Sequence, residues 1–116
     1  MVVDQSTETG IDRIFQALAD ATRRDIVSRV ITASHSVTSL AEHYDMSFAA
    51  VQKHVQVLER ALLVTKERRG REQLVRGRID TIGRAAALLQ AYEQIWAQRA
   101  LRIDEILVED THKEKS

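Results

Sequence analysis

Apolar residues recur at steps of three and four along most of the chain, which predicts a mainly helical protein. The stretch "IDRIFQALAD" puts Ile11, Ile14, Phe15 and Leu18 on one helical face. Asp20 is placed to cap a second helix, "ATRRDIVSRVITA", with an apolar stripe of Ile26, Val27, Val30 and Ile31. "SHS" then breaks the pattern. "VTSLAEHY" reads as a short third helix beginning near Thr38 or Ser39, with "DM" as the turn behind it. Ser47 is placed to cap a fourth helix, whose spacing turns Phe48, Val51, Val55, Leu58 and Leu62 inward. After it the period drops to two. "LLVTKERRGREQLVRGR" alternates apolar and polar residues, and Gly70 marks a hairpin tip, since glycine tolerates the positive φ of a tight turn. From about residue 80 to residue 108 the helical period returns, with Ile82, Ala86, Leu89, Tyr92, Ile95, Trp96, Ile103, Ile106 and Leu107 as its apolar positions. Residues 1–10 and 109–116 read as polar tails around one domain spanning 11–108.

Charge changes the picture. The 116 residues carry 17 basic and 17 acidic side chains, so the formal net charge is zero. The distribution is uneven. Residues 1–46 hold four basic and seven acidic groups, a balance of −3. Residues 47–78 hold eight basic groups (Lys53, Arg60, Lys66, Arg68, Arg69, Arg71, Arg76 and Arg78) against three acidic ones (Glu59, Glu67 and Glu72), a balance of +5. A localised positive segment is an electrostatic footprint for an anionic partner, because phosphates respond to the nearby field and not to the total. Composition narrows the class further. With no cysteine, disulfides, thiolate metal sites and thiol nucleophiles are excluded. No apolar run approaches the ~18 residues a membrane-spanning helix needs. The acidic N-terminus "MVVDQSTETG" has no signal-sequence character. A cytoplasmic protein with no membrane partner is expected.

Two short helices joined by a tight turn, followed by a two-stranded hairpin, form a winged helix-turn-helix. The pair spans residues 38–44 and 48–61. In such units the second helix enters the DNA major groove while the first crosses the backbone. With Val51, Val55 and Leu58 turned to the core, Ala49, Ala50, Gln52, Lys53 and Gln56 point outward. Small side chains at Ala49 and Ala50 permit close approach and suit a thymine methyl group. Gln52 and Gln56 suit bidentate pairing with adenine, and Lys53 suits a guanine edge or a phosphate. Ser47 offers a hydroxyl and helix-start amides to a phosphate. Arg68, Arg69 and Arg71, around Gly70, fit a wing laid against the flanking minor groove or backbone.

The stretches "FQALADATRRDIVSRV", "SLAEHYDMSFAAVQKHVQVLERALLV" and "RRGREQLVRGR" resemble the ArsR/SmtB family of bacterial winged-helix repressors over roughly residues 11–107. The resemblance implies about five helices and a homodimer paired through its first and last helices. It also implies one recognition helix offered to each half of an inverted-repeat operator. His54 matches a histidine common in the family's recognition helix, with packing or a phosphate contact as its role. On this basis Ile11, Ile14 and Phe15 of the first helix join Leu89, Tyr92, Trp96, Ile103 and Leu107 of the last as the expected dimer interface. The last helix supports that reading by itself, since it carries large apolar groups on more than one face and is too long for so small a core. Departures from the family pattern are modest: Ala21, Asp45 and Leu62 stand where proline, glycine and glycine are frequent.

The metal sensing for which the family is named is not expected. The third helix has no thiol, the last helix has no histidine before His112, and His35, His43, His54 and His112 lack metal-ligand spacing. No cofactor is expected either. The chain has no phosphate-cradling glycine loop, no nucleophile beside a base and no paired carboxylates, so catalysis is not expected. The resulting expectation is a homodimeric DNA-binding repressor of its own or a neighbouring operon. A winged helix used for protein contacts, and a repressor sensing a small ligand or metal at an unrecognised site, stay open as alternatives.

Overall fold

The computed structural model describes the backbone of residues 5–115 and the side chains of residues 10–108. Helix α1 spans Gln5–Ala17 and α2 spans Ala21–Thr32. The two-residue strand β1 (His35–Ser36) leads into the short helix α3 (Val37–Ala41), then into α4 (Phe48–Arg60). Strands β2 (Val64–Arg69) and β3 (Glu72–Gly77) form the hairpin, and α5 spans Ile79–Lys115. Helix α1 thus already occupies part of the segment expected as an N-terminal tail, and α5 continues into the expected C-terminal one.

The chain divides at Ala85 into two units. In the first, Ile14 of α1, Ile26 and Val30 of α2, Leu40 of α3, and Val51, Val55 and Leu58 of α4 meet Leu63, Val64 and Val75 of the hairpin in one core. Each of these ten side chains is at most 1% exposed. At ~1.5–3 kcal/mol for each aliphatic side chain removed from water, this burial outweighs the weak propensity of such short helices to form alone. The second unit, from Ala86 onward, is the remainder of α5. Its Leu89, Tyr92, Ile95, Trp96, Leu101, Ile103, Ile106, Leu107 and Val108 are all exposed, Trp96 most of all at 67%.

Local chemistry fixes the helix ends. Asp20 caps α2 by accepting the Arg23 backbone N–H at 3.0 Å, and that hydrogen bond holds its carboxyl below the usual range. The two arginines that follow close the preceding helix. Arg23 donates Nε to the Ala17 carbonyl at 2.6 Å and Nη2 to Gln16 at 3.2 Å, while Arg24 donates Nη1 to Leu18 at 2.8 Å. Arg23 and Arg24 thus serve carbonyls at and just past the end of α1, of which Gln16 also accepts the Ala19 N–H at 3.2 Å. Helix α3 is capped by Ser36, whose Oγ accepts the Ser39 N–H at 3.0 Å, so it begins earlier than Thr38 or Ser39.

Within "SHS", expected only as a break, His35 and Ser36 form β1. It pairs antiparallel with β3, His35 opposite Val75 and Ser36 opposite Leu74, making a three-stranded sheet in the order β1-β3-β2. At the end of β3, Gly77 lies so close to α2 that an added Cβ would sit 3.2 Å from the Cα of Ile31. Two inward assignments on α4 are overturned. Phe48 is 47% exposed and Leu62 is 49% exposed. Phe48 is the first residue of α4, and Leu62 lies beyond its end with φ +61°, so neither follows the interior helical period.

Candidate nucleic-acid interface

Helix α4 is set up by its cap. Ser47, in extended conformation (φ −67°, ψ 155°), accepts the Ala50 N–H at 3.1 Å, and its carbonyl accepts the Val51 N–H. The amides of Phe48 and Ala49 head the helix and carry the positive end of its dipole. Burial of Val51, Val55 and Leu58 fixes the rotation of the helix. Ala49, Gln52, Lys53 and Gln56 therefore lie exposed on one side, as expected, while Ala50 is half-buried at the edge of that row.

His54 sits apart from these residues. Its Nδ1 lies 3.3 Å from Nη1 of Arg23 and 3.9 Å from the Asp20 carboxylate, at the start of α2. Its place is the packed side of α4, where it ties the recognition helix to the α1–α2 junction.

The hairpin stands beside α4. Strands β2 and β3 pair from Val64 opposite Gly77 to Arg69 opposite Glu72, leaving Gly70 and Arg71 as a two-residue turn. Only Gly70 of the two has positive φ (+61°), the pattern of a type II′ hairpin turn. Two recesses separate helix and wing. One, of about 330 Å³, is lined by Ala49, Gln52, Lys53 and Gln56 with Lys66 and Gln73 of the strands. The other, of about 210 Å³, is lined by Phe48 and Gln52 with Val37, Thr38, Arg68, Arg71, Glu72 and Gln73. Gln52 and Gln73 border both. The fold thus gathers four of the expected outward α4 residues and two of the three expected wing arginines. The third, Arg69, reaches back along its own strand to Glu67 at 3.7 Å. Lys53 and Arg71 make no ion pair among the described residues, so their charges stay available.

Phe48, Thr38 and Gln73 at this surface escaped the sequence reading, and Lys66 entered it only as one charge of the positive segment. Phe48 was hidden by its apolar character. The others lie on elements whose outward side becomes visible only once β3 is seen to pair on both edges.

On the surfaces expected to form a dimer, Ile14 is 1% exposed and belongs to the chain's own core, so it offers no surface to a partner. Ile11 and Phe15 of α1 keep part of their surface. Among the described residues no three or more His, Asp or Glu side chains gather as a metal ion would need, and no helix is long and apolar enough to cross a membrane.

Known proteins extend these findings. Residues 18–67 match a helix-turn-helix domain family, HTH_20. The chain is 37% identical over 93 residues to the HTH-type transcriptional regulator Rv2034 of Mycobacterium tuberculosis, covering 80% of this chain and 84% of that one. It is 27% identical over 60 residues to the transcriptional repressor SdpR of Bacillus subtilis, covering 52% and 67%. Among solved structures it is similar to an ArsR-like transcriptional regulator from Rhodococcus sp. RHA1, with TM-score 0.71, 30% identity, and 87% and 95% of the two chains covered. A homodimeric winged helix-turn-helix DNA-binding domain from Mycobacterium bovis shares the fold, with TM-score 0.64 at 23% identity, covering 81% and 91%. With relatives matched at this identity over most of their length, and with a capped recognition helix beside an arginine-bearing wing, the chain belongs to the ArsR family of winged helix-turn-helix transcriptional regulators that bind DNA.

Proposed function

We propose that the protein acts as a homodimeric repressor of its own or a neighbouring operon. In this reading α4 enters the major groove of each half of an inverted repeat, and the wing rests on the flanking backbone. The observation that carries it is the shared surface of Gln52, Lys53 and Gln56 with Arg68 and Arg71, which unites hydrogen-bonding side chains suited to base edges with cations suited to phosphates, while Lys66 at its border pairs with Glu59 at 3.8 Å. The partly buried Ile11 and Phe15 of α1, and the exposed Leu89, Tyr92, Trp96 and Ile103 of α5, supply the dimer interface in this reading. Two-fold pairing would set the half-site spacing near one DNA turn, ~34–36 Å. Binding needs no metal in this reading.

Fluorescence anisotropy of the protein on its upstream DNA and on a scrambled duplex, at two salt concentrations, tests the proposal. The expected result is a salt-sensitive preference for the upstream duplex that neither zinc nor a chelator changes. Zinc-driven release would overturn metal independence. Equal binding to both duplexes would overturn autoregulation.

A further inference from the structure

We propose that Phe48 reads the C5-methyl group of a thymine in the operator, and so sets part of its sequence preference. The proposal rests on the DNA-facing assignment of α4 made above. Val51, Val55 and Leu58 of the same helix are buried, yet the phenyl ring of Phe48 stays half in water. It does so at the first residue of α4, the end of a recognition helix that meets base edges. Val57, the other large apolar residue exposed on α4, lies in the last turns and faces Arg13, Gln16 and Arg23 of the α1–α2 region instead, and the exposed Ala49 offers only a methyl group.

A phenyl ring has no hydrogen-bonding group, so it cannot recognise the donor and acceptor pattern of a base. The one apolar group displayed in the major groove is the thymine methyl, and aromatic contact with it is an established means of readout. The space is present. The recess of about 210 Å³ beside the ring has Val37 as a second apolar wall and Gln52 and Arg71 as polar ones. Gln52 follows Phe48 by one helical turn, ~6 Å along the axis, a distance that spans adjacent or next-adjacent base pairs. Phe48 and Gln52 together therefore favour a thymine close to an adenine. A 5-methylcytosine presents the same methyl group in the same position of the groove, so the contact also makes binding sensitive to cytosine methylation at that base pair.

The test uses full-length protein and a duplex that it selects from randomised DNA. Each thymine of the selected duplex is replaced in turn by deoxyuridine, which removes only the methyl group. For the wild type, one thymine in each half-site should show a loss of affinity of about fourfold, the value of one buried methyl-sized group. In Phe48→Ala that loss should vanish. In Phe48→Leu, which keeps an apolar side chain and guards against a folding defect in the alanine variant, part of it should remain. Ala49→Gly should keep it in full. Placing cytosine at the sensitive position should weaken wild-type binding, and 5-methylcytosine should restore it only while Phe48 is present.

A deoxyuridine penalty that survives Phe48→Ala, or that disappears in Ala49→Gly, would assign the methyl group to another residue and overturn the inference. So would the absence of any sensitive thymine in a duplex that is otherwise bound selectively. If selection yields no preferred sequence at all, the DNA-facing reading of α4 falls first and this contact falls with it.

Discussion

Leu62 carries the clearest backbone strain in the described chain. Helix α4 ends with the Leu63 N–H donating to the Leu58 carbonyl and the Leu62 N–H donating to the Glu59 carbonyl, both at 3.0 Å. This is the Schellman arrangement, in which the residue after the cap takes a left-handed conformation that favours glycine. Leu62 occupies it at φ +61° with its side chain 49% exposed, so the cost of a Cβ there has little burial to offset it. That cost is ~1–2 kcal/mol, and glycine returns roughly 0.5–1 kcal/mol of it through greater freedom in the unfolded chain. Leu62→Gly should therefore stabilise the protein by about 0.5–1 kcal/mol, seen as a higher urea midpoint at fixed protein concentration. A lower midpoint would mean that Leu62 packs where its exposure says it does not. Tyr44 shows the reverse case, a polar group held by its surroundings. Its hydroxyl donates to Oδ2 of Asp25 at 2.5 Å, and Arg29 donates Nε to the same oxygen at 2.8 Å. Burial, and then the bond to Asp25, push the phenol up to about 12 from an ordinary 10. A folded pKa above the unfolded one gives stability that is whole below pH 10 and lost as the pH rises towards 12. Tyr44→Phe should flatten the fall in stability over that interval, and an unchanged alkaline limb would show that neither burial nor the bond to Asp25 raises this hydroxyl in solution. At this scale the sequence made the caps Asp20 and Ser47 legible, because a short polar side chain before an apolar stripe has one good use. Phe48 and Leu62 were misread because periodicity assigns faces only to residues inside a helix, and these two sit at its first position and past its last.

The wing is the element whose role is most open to measurement. Its turn places Arg71 at the tip, and Arg68 turns beside it to donate Nε to the Gly70 carbonyl at 3.4 Å. Both guanidinium groups border the recess against α4, whereas Arg69 is drawn to Glu67. If Arg68 and Arg71 meet phosphates, each contact should contribute about 0.9 to the slope of log K against log salt. Arg68→Ala and Arg71→Ala should each lower that slope by roughly this much per occupied contact, almost equally on preferred and scrambled DNA. Arg69→Ala should lower it less. An undiminished slope in both of the first two variants would remove the wing from the backbone contact. The hairpin itself was plain in the sequence, since the period changes from helical to alternating and Gly70 punctuates it. Strand β1 was not. Two residues are too few to show a period, and His35 and Ser36 become a strand only because β3 has a free edge for them to pair with. Helix α3 was found with its start right within a residue and its end drawn at Tyr44 instead of Ala41, and Ser36 both caps it and belongs to that strand.

For the whole molecule, the telling feature is the amount of apolar surface that a single chain leaves uncovered on α5. Leu89, Tyr92, Trp96 and Ile103 repeat at helical spacing and are each about half exposed or more. Contiguous apolar surface of this kind is rare on soluble monomers and marks an interaction face. The spacing was legible without coordinates, but the allocation was not. Ile14 follows the same period as Ile11 and Phe15, and only packing shows that it is wholly within the core while its two neighbours pack against that core and keep part of their surface. Trp96 turns this into a measurement, since it is the sole tryptophan of the chain. In a dimer that covers α5 its emission should be blue-shifted and poorly quenched by iodide at micromolar protein. On dilution the emission should move to the red and quenching should rise as the subunits part. The same dilution should lower the mass in solution from twice 13.2 kDa towards 13.2 kDa. Trp96→Glu should shift the association to higher protein concentration with helix content retained, because one buried charge without a partner costs several kcal/mol and is paid twice across a two-fold interface. Its operator binding should weaken together with dimerisation, since a lone subunit holds only one half-site. Red, fully quenchable emission at every concentration, in a protein that still sediments as a dimer, would place the interface elsewhere and leave the α5 face for a different partner.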